Sequence, residues 1–208
     1  MKVLIETHYL PSVAYFAAVA NTNGIILERH EYYVKQTYRN RCHVNTSQGV
    51  ATLIVPVTAR HNKTLITDIR IDYSQKWVNN HWRTIRSAYG NAPFFEHYAD
   101  DLEKVLYSKN DFLFDLNVRF LSLCLKWLKW GIPVTESLSY ETTPQPDTTD
   151  LRSLLNSKKQ DNLSNFFQAS PYTQVFGNAF AGNMSLIDLI FCEGPEAARR
   201  VQASIVGK

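Results

Sequence analysis

Lys2-Val-Leu-Ile-Glu-Thr-His-Tyr-Leu-Pro-Ser-Val-Ala-Tyr-Phe-Ala-Ala-Val-Ala-Asn-Thr-Asn-Gly-Ile-Ile-Leu-Glu28 decides the fold. Val3, Leu4 and Ile5 are contiguous and apolar, as in a short buried strand. Pro11 suits the first turn of a helix, and Val13, Phe16, Ala17 and Ala20 repeat at helical spacing. Asn21, Asn23 and Gly24 stop that helix, and Gly24 to Glu28 reads as a second strand. Strand, helix and strand within roughly thirty residues make a βαβ unit. Ligands of open parallel sheets bind beyond the carboxyl ends of the strands, where Glu6, His8 and Glu28 fall.

The next stretch, His30-Glu-Tyr-Tyr-Val-Lys-Gln-Thr-Tyr-Arg-Asn-Arg-Cys-His43, carries the densest polar chemistry. Read as extended, it sets Tyr33, Lys35, Thr37, Arg39 and Arg41 on one side. Guanidinium forks and an ammonium on one face fit a carboxylate or phosphate. The competing reading is an edge strand blunted by cations. Cys42 lies between Arg41 and His43, but alternation turns those neighbours away, so a buried strand cysteine is favoured over a nucleophile.

Further on, Ala51 to Val57 reads as a strand that Pro56 restricts to an edge or terminus, His61 as solvated loop, and Leu65 to Ile71 as another strand. Ser74 is placed to cap a helix from Gln75 to Tyr89, whose broad face carries Trp77, Val78, His81, Trp82, Ile85 and Tyr89. A second helix spans Phe94 to Tyr107. The longest starts at a cap on Asn110 or Asp111, runs to Gly131 and is apolar almost all round, as a central packing element would be. A last strand falls within Ile132 to Tyr140, and 142–149 reads as loop. Asp150 is expected to cap a polar helix reaching about Lys159. Ser185-Leu-Ile-Asp188 opens a final helix as a capping box, and 196–208 follows as a tail. The expectation is one domain over 1–208, of α/β class: a mixed sheet opened by the βαβ unit, then a mainly helical C-terminal half.

Composition narrows the function. Twenty-two basic against 19 acidic residues give +3, too little for a dedicated nucleic-acid binder. Three scattered cysteines make neither a disulfide framework nor a zinc site, so a reducing cytoplasm is expected and no metal. Lys2 with Tyr9 to Ala20 imitates an export leader, but Glu6, His8 and Pro11 interrupt it. No run approaches the roughly 18 apolar residues of a membrane span. Glycine-loop nucleotide motifs, His-Glu-x-x-His and Gly-x-Ser-x-Gly are absent, and no cofactor can be named. His81 and His8 are the acid–base candidates, each weighed against an ordinary packed or turn histidine, with Glu6 and Glu28 as a carboxylate pair.

Tyr9-Leu-Pro11 with Tyr15-Phe16, Lys35-Gln-Thr-Tyr-Arg-Asn-Arg41, Trp77-x3-His81-Trp82 with Tyr89, Ala92-Pro-Phe-Phe95 and Asn183-x-Ser-Leu-Ile-Asp188 with Gly194-Pro195 stand in an order that resembles the bacterial WbqC-like family. Glu6-Thr7-His8 departs from the family's usual Gln-Pro step, and Tyr38 stands where a tryptophan is usual. The resemblance implies a link to lipopolysaccharide and O-antigen assembly and strengthens Lys35, Asn40, Arg41 and His81 as site residues. It carries no established reaction. The reading is a cytoplasmic enzyme, with transferase the favoured class, that binds a small anionic or nucleotide-linked sugar or acyl substrate and transfers a group to an amino sugar. Tyr9, Lys35, Tyr38, Arg39, Asn40, Arg41, Trp77, Trp82 and Tyr89 would contact substrate. The alternative is a non-catalytic module binding a small ligand or a protein in envelope assembly.

Overall fold

The computed structural model describes residues 1–58, 63–155, 163–177 and 179–206. In chain order they form β1 (Lys2–Ile5), α1 (Val13–Val19), β2 (Ile25–Leu27), β3 (Arg41–Thr46), β4 (Gly49–Ile54), β5 (Val57–Thr58) and β6 (Arg70–Ile71). Then come α2 (Trp77–Tyr89), α3 (Phe95–Leu106), α4 (Leu113–Trp127), β7 (Val134–Glu136), β8 (Thr148–Asp150), α5 (Leu186–Glu193) and α6 (Ala197–Ala203).

The βαβ unit is present. Val3, Leu4 and Ile5 pair in parallel with Ile25, Ile26 and Leu27, and two later strands complete a four-stranded sheet in the order β7-β2-β1-β8. All three pairings are parallel, while the β3–β4 and β5–β6 ribbons are antiparallel. The class is α/β, with α4, α5 and α6 giving the C-terminal half its helical character.

α1 is buried along most of its length, and its first amide groups are satisfied from far away in sequence. The Val13 N–H donates to the Met184 carbonyl at 3.0 Å and the Ala14 N–H to Asn183 Oδ1 at 3.0 Å. α4 buries most of its circumference, including Asn117, as its apolar sequence requires. α5 lies against α3, with the Phe95 and Phe191 rings 5.0 Å apart.

Several local expectations are corrected. The 31–40 stretch is not a strand: apart from a single bridge between Tyr32 and Leu65 it is irregular, it turns through Gln36 at φ 61°, and the next strand begins at Arg41. Period-two alternation therefore never operates there. Leu65 to Ile71 is a 3₁₀ turn at Ile66–Asp68 followed by two strand residues, because Ile66 and Ile69 are both drawn into the core. Ser74 caps no helix, since its N–H closes a turn onto Asp72 Oδ1 and α2 starts at Trp77. The residue before α4 is Phe112, not Asn110 or Asp111, and it makes no side-chain cap bond. Thr148–Asp150 is an edge strand rather than the end of a loop, and Asp150 closes that strand instead of opening a helix. The rest of that expected helix, and His61, lie outside the described residues. Ser185 precedes α5 without a cap bond, because Asp188 is engaged elsewhere.

Gly194 ends α5 at φ 53°, and a Cβ there would stand 2.5 Å from Phe94 Cδ1. Gly49 also has positive φ, at 96°, but has open space around it. Gly49→Ala is expected to cost about 1 kcal/mol for backbone conformation alone. Gly194→Ala adds overpacking, for a total of about 2–4 kcal/mol. Urea unfolding of the two variants measures the difference, and equal losses would refute the steric part.

Candidate functional site

Each of the four parallel strands delivers polar side chains at its carboxyl end. β1 is followed by Glu6 and His8, β2 by Glu28 and Glu31, β7 by Ser137, and β8 ends at Asp150 just before Arg152. These groups meet because parallel strands bring all their carboxyl ends to one edge of the sheet. Glu6, His8, Glu28 and Arg39 are each no more than 2% exposed.

Arg39 joins two of the strand ends. Its Nε donates to Glu31 Oε1 at 2.7 Å, its Nη2 reaches the other Glu31 oxygen, and Nη2 lies 3.8 Å from Glu6 Oε1. Asn117 of α4 donates to the Arg39 carbonyl at 2.8 Å and fixes the backbone that carries the fork. Arg152 joins the ends of β2 and β8. It donates to Glu28 Oε2 at 2.9 Å and makes a two-point pair with Asp150. Glu28 Oε1 accepts from the His30 N–H at 2.8 Å and from Ser137 Oγ at 2.7 Å. Glu6 Oε2 accepts from the Ser153 N–H at 2.9 Å.

His8 Nε2 lies 3.4 Å from Glu6 Oε1, while its Nδ1 is buried with no partner among the described residues. The His8 ring sits between Tyr15 and Tyr38, at centroid distances of 4.9 and 5.4 Å. Burial works against ionisation of Glu6, but His8, Arg39 and the Ser153 N–H outweigh it and hold its pKa at about 2. Burial lowers the pKa of His8, so the pair at neutral pH is a carboxylate beside a neutral imidazole donating through Nε2.

His81 lies in a different cluster. Its Nδ1 accepts from Tyr9 Oη at 2.9 Å, its ring is 5.1 Å from Trp77, and the Ile54 backbone takes its other hydrogen bond. Burial lowers its pKa to about 4, leaving a neutral ring with both nitrogens bonded. Tyr9 thus turns into the core toward His81, and His8 turns toward Glu6. Tyr89 belongs to a third group: it donates to Asp188 Oδ2 at 2.8 Å, and Tyr172 and Gln174 also donate to that buried carboxylate. Trp82 stacks on Phe95 at 6.3 Å, farther along α2.

Of the cations expected to read an anion, Arg39 is committed to carboxylates, Lys35 is exposed, and Arg41 is half-buried with an Nε that has no partner among the described residues. Asn40 donates to the Val55 carbonyl at 2.9 Å, and the Tyr38 carbonyl accepts from the Tyr9 N–H. Cys42 is buried, and burial raises its thiol pKa. Among the described residues no cluster of His, Cys, Asp or Glu has the form of a metal site.

Beside the charged edge lies a cavity of about 390 Å³ between the sheet and the segment after β7. Leu4, Ile26, Thr135 and Thr148 floor it, and Ser137, Ser139, Glu141 and Gln145 are among its walls.

The WbqC-like protein family matches residues 7–165, a span that holds His8, Glu28, Glu31, Arg39, Ser137 and Arg152. The chain belongs to this family. Glu6 and the Asn183–Pro195 segment, although part of the expected resemblance or site, fall outside the matched span. The uncharacterized protein Rv1507c of Mycobacterium tuberculosis is 27% identical over 221 positions, covering 93% of this chain and 94% of that one. No solved structure matches the chain. No described helix is long and apolar enough to cross a membrane.

Sequence reasoning did not find Glu31, Asn117, Ser137, Asp150, Arg152, Ser153 or Asp188. Glu31 stood inside the quoted basic stretch, eight positions before Arg39, and a buried guanidinium needs such an acid. Arg152 had no local signal, because the strand before it was not recognised.

Two predictions test this arrangement. Arg39→Met should cost about 3–5 kcal/mol, because it leaves Glu31 and Glu6 buried without their cation. Arg29→Ala, which removes an exposed pair with Glu136, should cost no more than about 1 kcal/mol. Chemical denaturation distinguishes the two. For His81, the folded pKa of about 4 lies below the ordinary 6.5. Its contribution is therefore complete above pH 6.5 and is lost as pH falls toward 4, by about 3 kcal/mol. His81→Gln should flatten the stability profile in that window, with a residual slope from His8. An unchanged slope would contradict the burial of a neutral ring.

Proposed function

We propose that this WbqC-like chain is a group-transfer enzyme for an anionic or nucleotide-linked sugar or acyl substrate, acting in bacterial surface polysaccharide biosynthesis. The observation that carries the reading is the His8–Glu6 pair at the carboxyl edge of the sheet, with one imidazole nitrogen lacking a partner among the described residues. A neutral imidazole oriented by a carboxylate is a general base whose proton, once taken up, is stabilised by the adjacent charge. Lys35 and Arg41 supply cations that no carboxylate claims among the described residues, so they would draw in the anionic part of a substrate. Arg39 acts as a positioning residue, holding Glu6 in place. The polysaccharide setting rests on family resemblance.

A second reading, a non-catalytic binding module, is favoured by the neutralisation of Arg39 and Arg152 by neighbouring carboxylates. Ligand-shift melting against nucleotide sugars and acyl-CoA thioesters tests the first reading. At about 100 Kd a true ligand should stabilise by about 2.7 kcal/mol. The double variant Lys35→Ala, Arg41→Ala should lose the shift, whereas His8→Asn should keep it and lose turnover. Absence of any shift with both classes would refute the enzyme reading. A shift without turnover by the unaltered protein would favour the binding module.

A further inference from the structure

The cavity beside β7 plays no part in the Glu6–His8 pair, and its lining differs from the basic stretch. Leu4 and Ile26 point away from the core occupied by Val3, Ile5, Ile25 and Leu27, and give the cavity a flat apolar floor. Around that floor stand hydroxyls, the Gln145 amide and two carboxylates, Glu136 and Glu141. No Lys or Arg is among the described lining residues. Glu136 pairs with Arg29 at 2.7 Å. The Glu141 carbonyl accepts from Arg152 Nη2 at 2.7 Å, and the Glu141 carboxylate has no partner among the described residues. Arg152 also covers the neighbouring Tyr140 ring at 4.7 Å, so the wall segment is fastened to the same guanidinium that binds Glu28. The volume of about 390 Å³ lies in the range of small-molecule sites, roughly 300–1,000 Å³.

A phosphate or carboxylate placed here would face two carboxylates without a lining cation. A protonated amine would meet the Glu141 carboxylate, Glu136 being already paired with Arg29, and a ring with one less polar face would rest on Leu4 and Ile26. We infer that this cavity is a separate subsite for a small polyol carrying a protonated amine, with Glu141 receiving the ammonium and Ser139 and Gln145 the hydroxyls. The inference rests on the proposed function only in making that amine the acceptor. Binding stands independently.

The test is titration of the full chain with glucosamine, its uncharged N-acetyl derivative and glucuronate, read by methyl NMR at Leu4 and Ile26. Glucosamine should shift both methyl sets saturably, the N-acetyl form should bind at least about tenfold more weakly, and glucuronate should leave them unmoved. Glu141→Gln should weaken glucosamine binding about tenfold, and Ile26→Trp, which fills the cavity, should abolish it. Equal binding of glucosamine and glucuronate, no saturable shift, or an affinity for glucosamine unchanged by Glu141→Gln would overturn the inference. Melting shifts with nucleotide sugars and acyl-CoA separate the two ideas. A protein that takes the donor but no amine overturns the subsite alone. One that takes the amine but no donor upholds the subsite and removes the enzyme reading.

Discussion

The guanidinium of Arg39 is the constraint on which the sheet edge depends. It is 2% exposed and lies between Glu31 and Glu6, one from the chain after β2 and one from the end of β1. Glu6, Glu28, Glu31 and Asp150 carry four negative charges, and Arg39 and Arg152 carry two positive ones, so the network retains two formal negative charges with His8 neutral. Ser137 Oγ and the N–H groups of His30 and Ser153 supply the remaining donors. Desolvating this many charges is expensive, and apolar residues of similar volume would often hold a fold as well or better. What the network supplies is a fixed arrangement of oxygens and nitrogens around His8, which apolar packing would not.

That arrangement depends on topology more than on any local motif. β1 and β2 are adjacent through the first thirty residues, but β7 and β8 come from beyond residue 130 and dock on opposite edges. Ser137 reaches Glu28 across the β2–β7 edge, and Arg152 approaches the same carboxylate from the β8 side. Glu28 therefore receives donors from both late strands. The same two strands supply Thr135 and Thr148 to the cavity floor, so the charged edge and the cavity share their scaffold.

The elements readable in the sequence were those with their own periodicity or contiguous apolar runs. The βαβ unit, α2, α3 and α4 carry such patterns, and Glu6, His8 and Glu28 were placed at strand ends by the topology alone. The 31–40 stretch failed for the opposite reason: its residues alternate in composition, but the backbone turns at Gln36 and buries Arg39 beside an acid from the same stretch. β8 was invisible because Thr-Thr-Asp has no apolar residue, and its strand state comes from pairing with Lys2, Val3 and Leu4. Asp188 fitted a capping box by spacing, yet three donors from distant segments claim its carboxylate. For β8 and Asp188 tertiary partners decided the outcome, and no local window contains them.

The turn between β1 and α1 explains why two histidine clusters exist instead of one. His8 and Tyr9 are consecutive, and the chain directs one side chain to Glu6 and the other to His81. Leu10 follows at φ 42°, an uncommon conformation for a residue with a Cβ, and is held there in full burial just before Pro11. Strain of this kind persists where surrounding contacts over-determine the backbone. Here Tyr9 is fixed at three points: its N–H on the Tyr38 carbonyl, its hydroxyl on His81, and its ring 5.4 Å from Phe120. Anchoring Tyr9 in the core sets the direction of the preceding residue, so the His81 cluster acts on the sheet edge by fixing the backbone that presents His8. An imidazole bonded at both nitrogens is suited to that positioning role, whereas His8 keeps a buried nitrogen without a partner among the described residues.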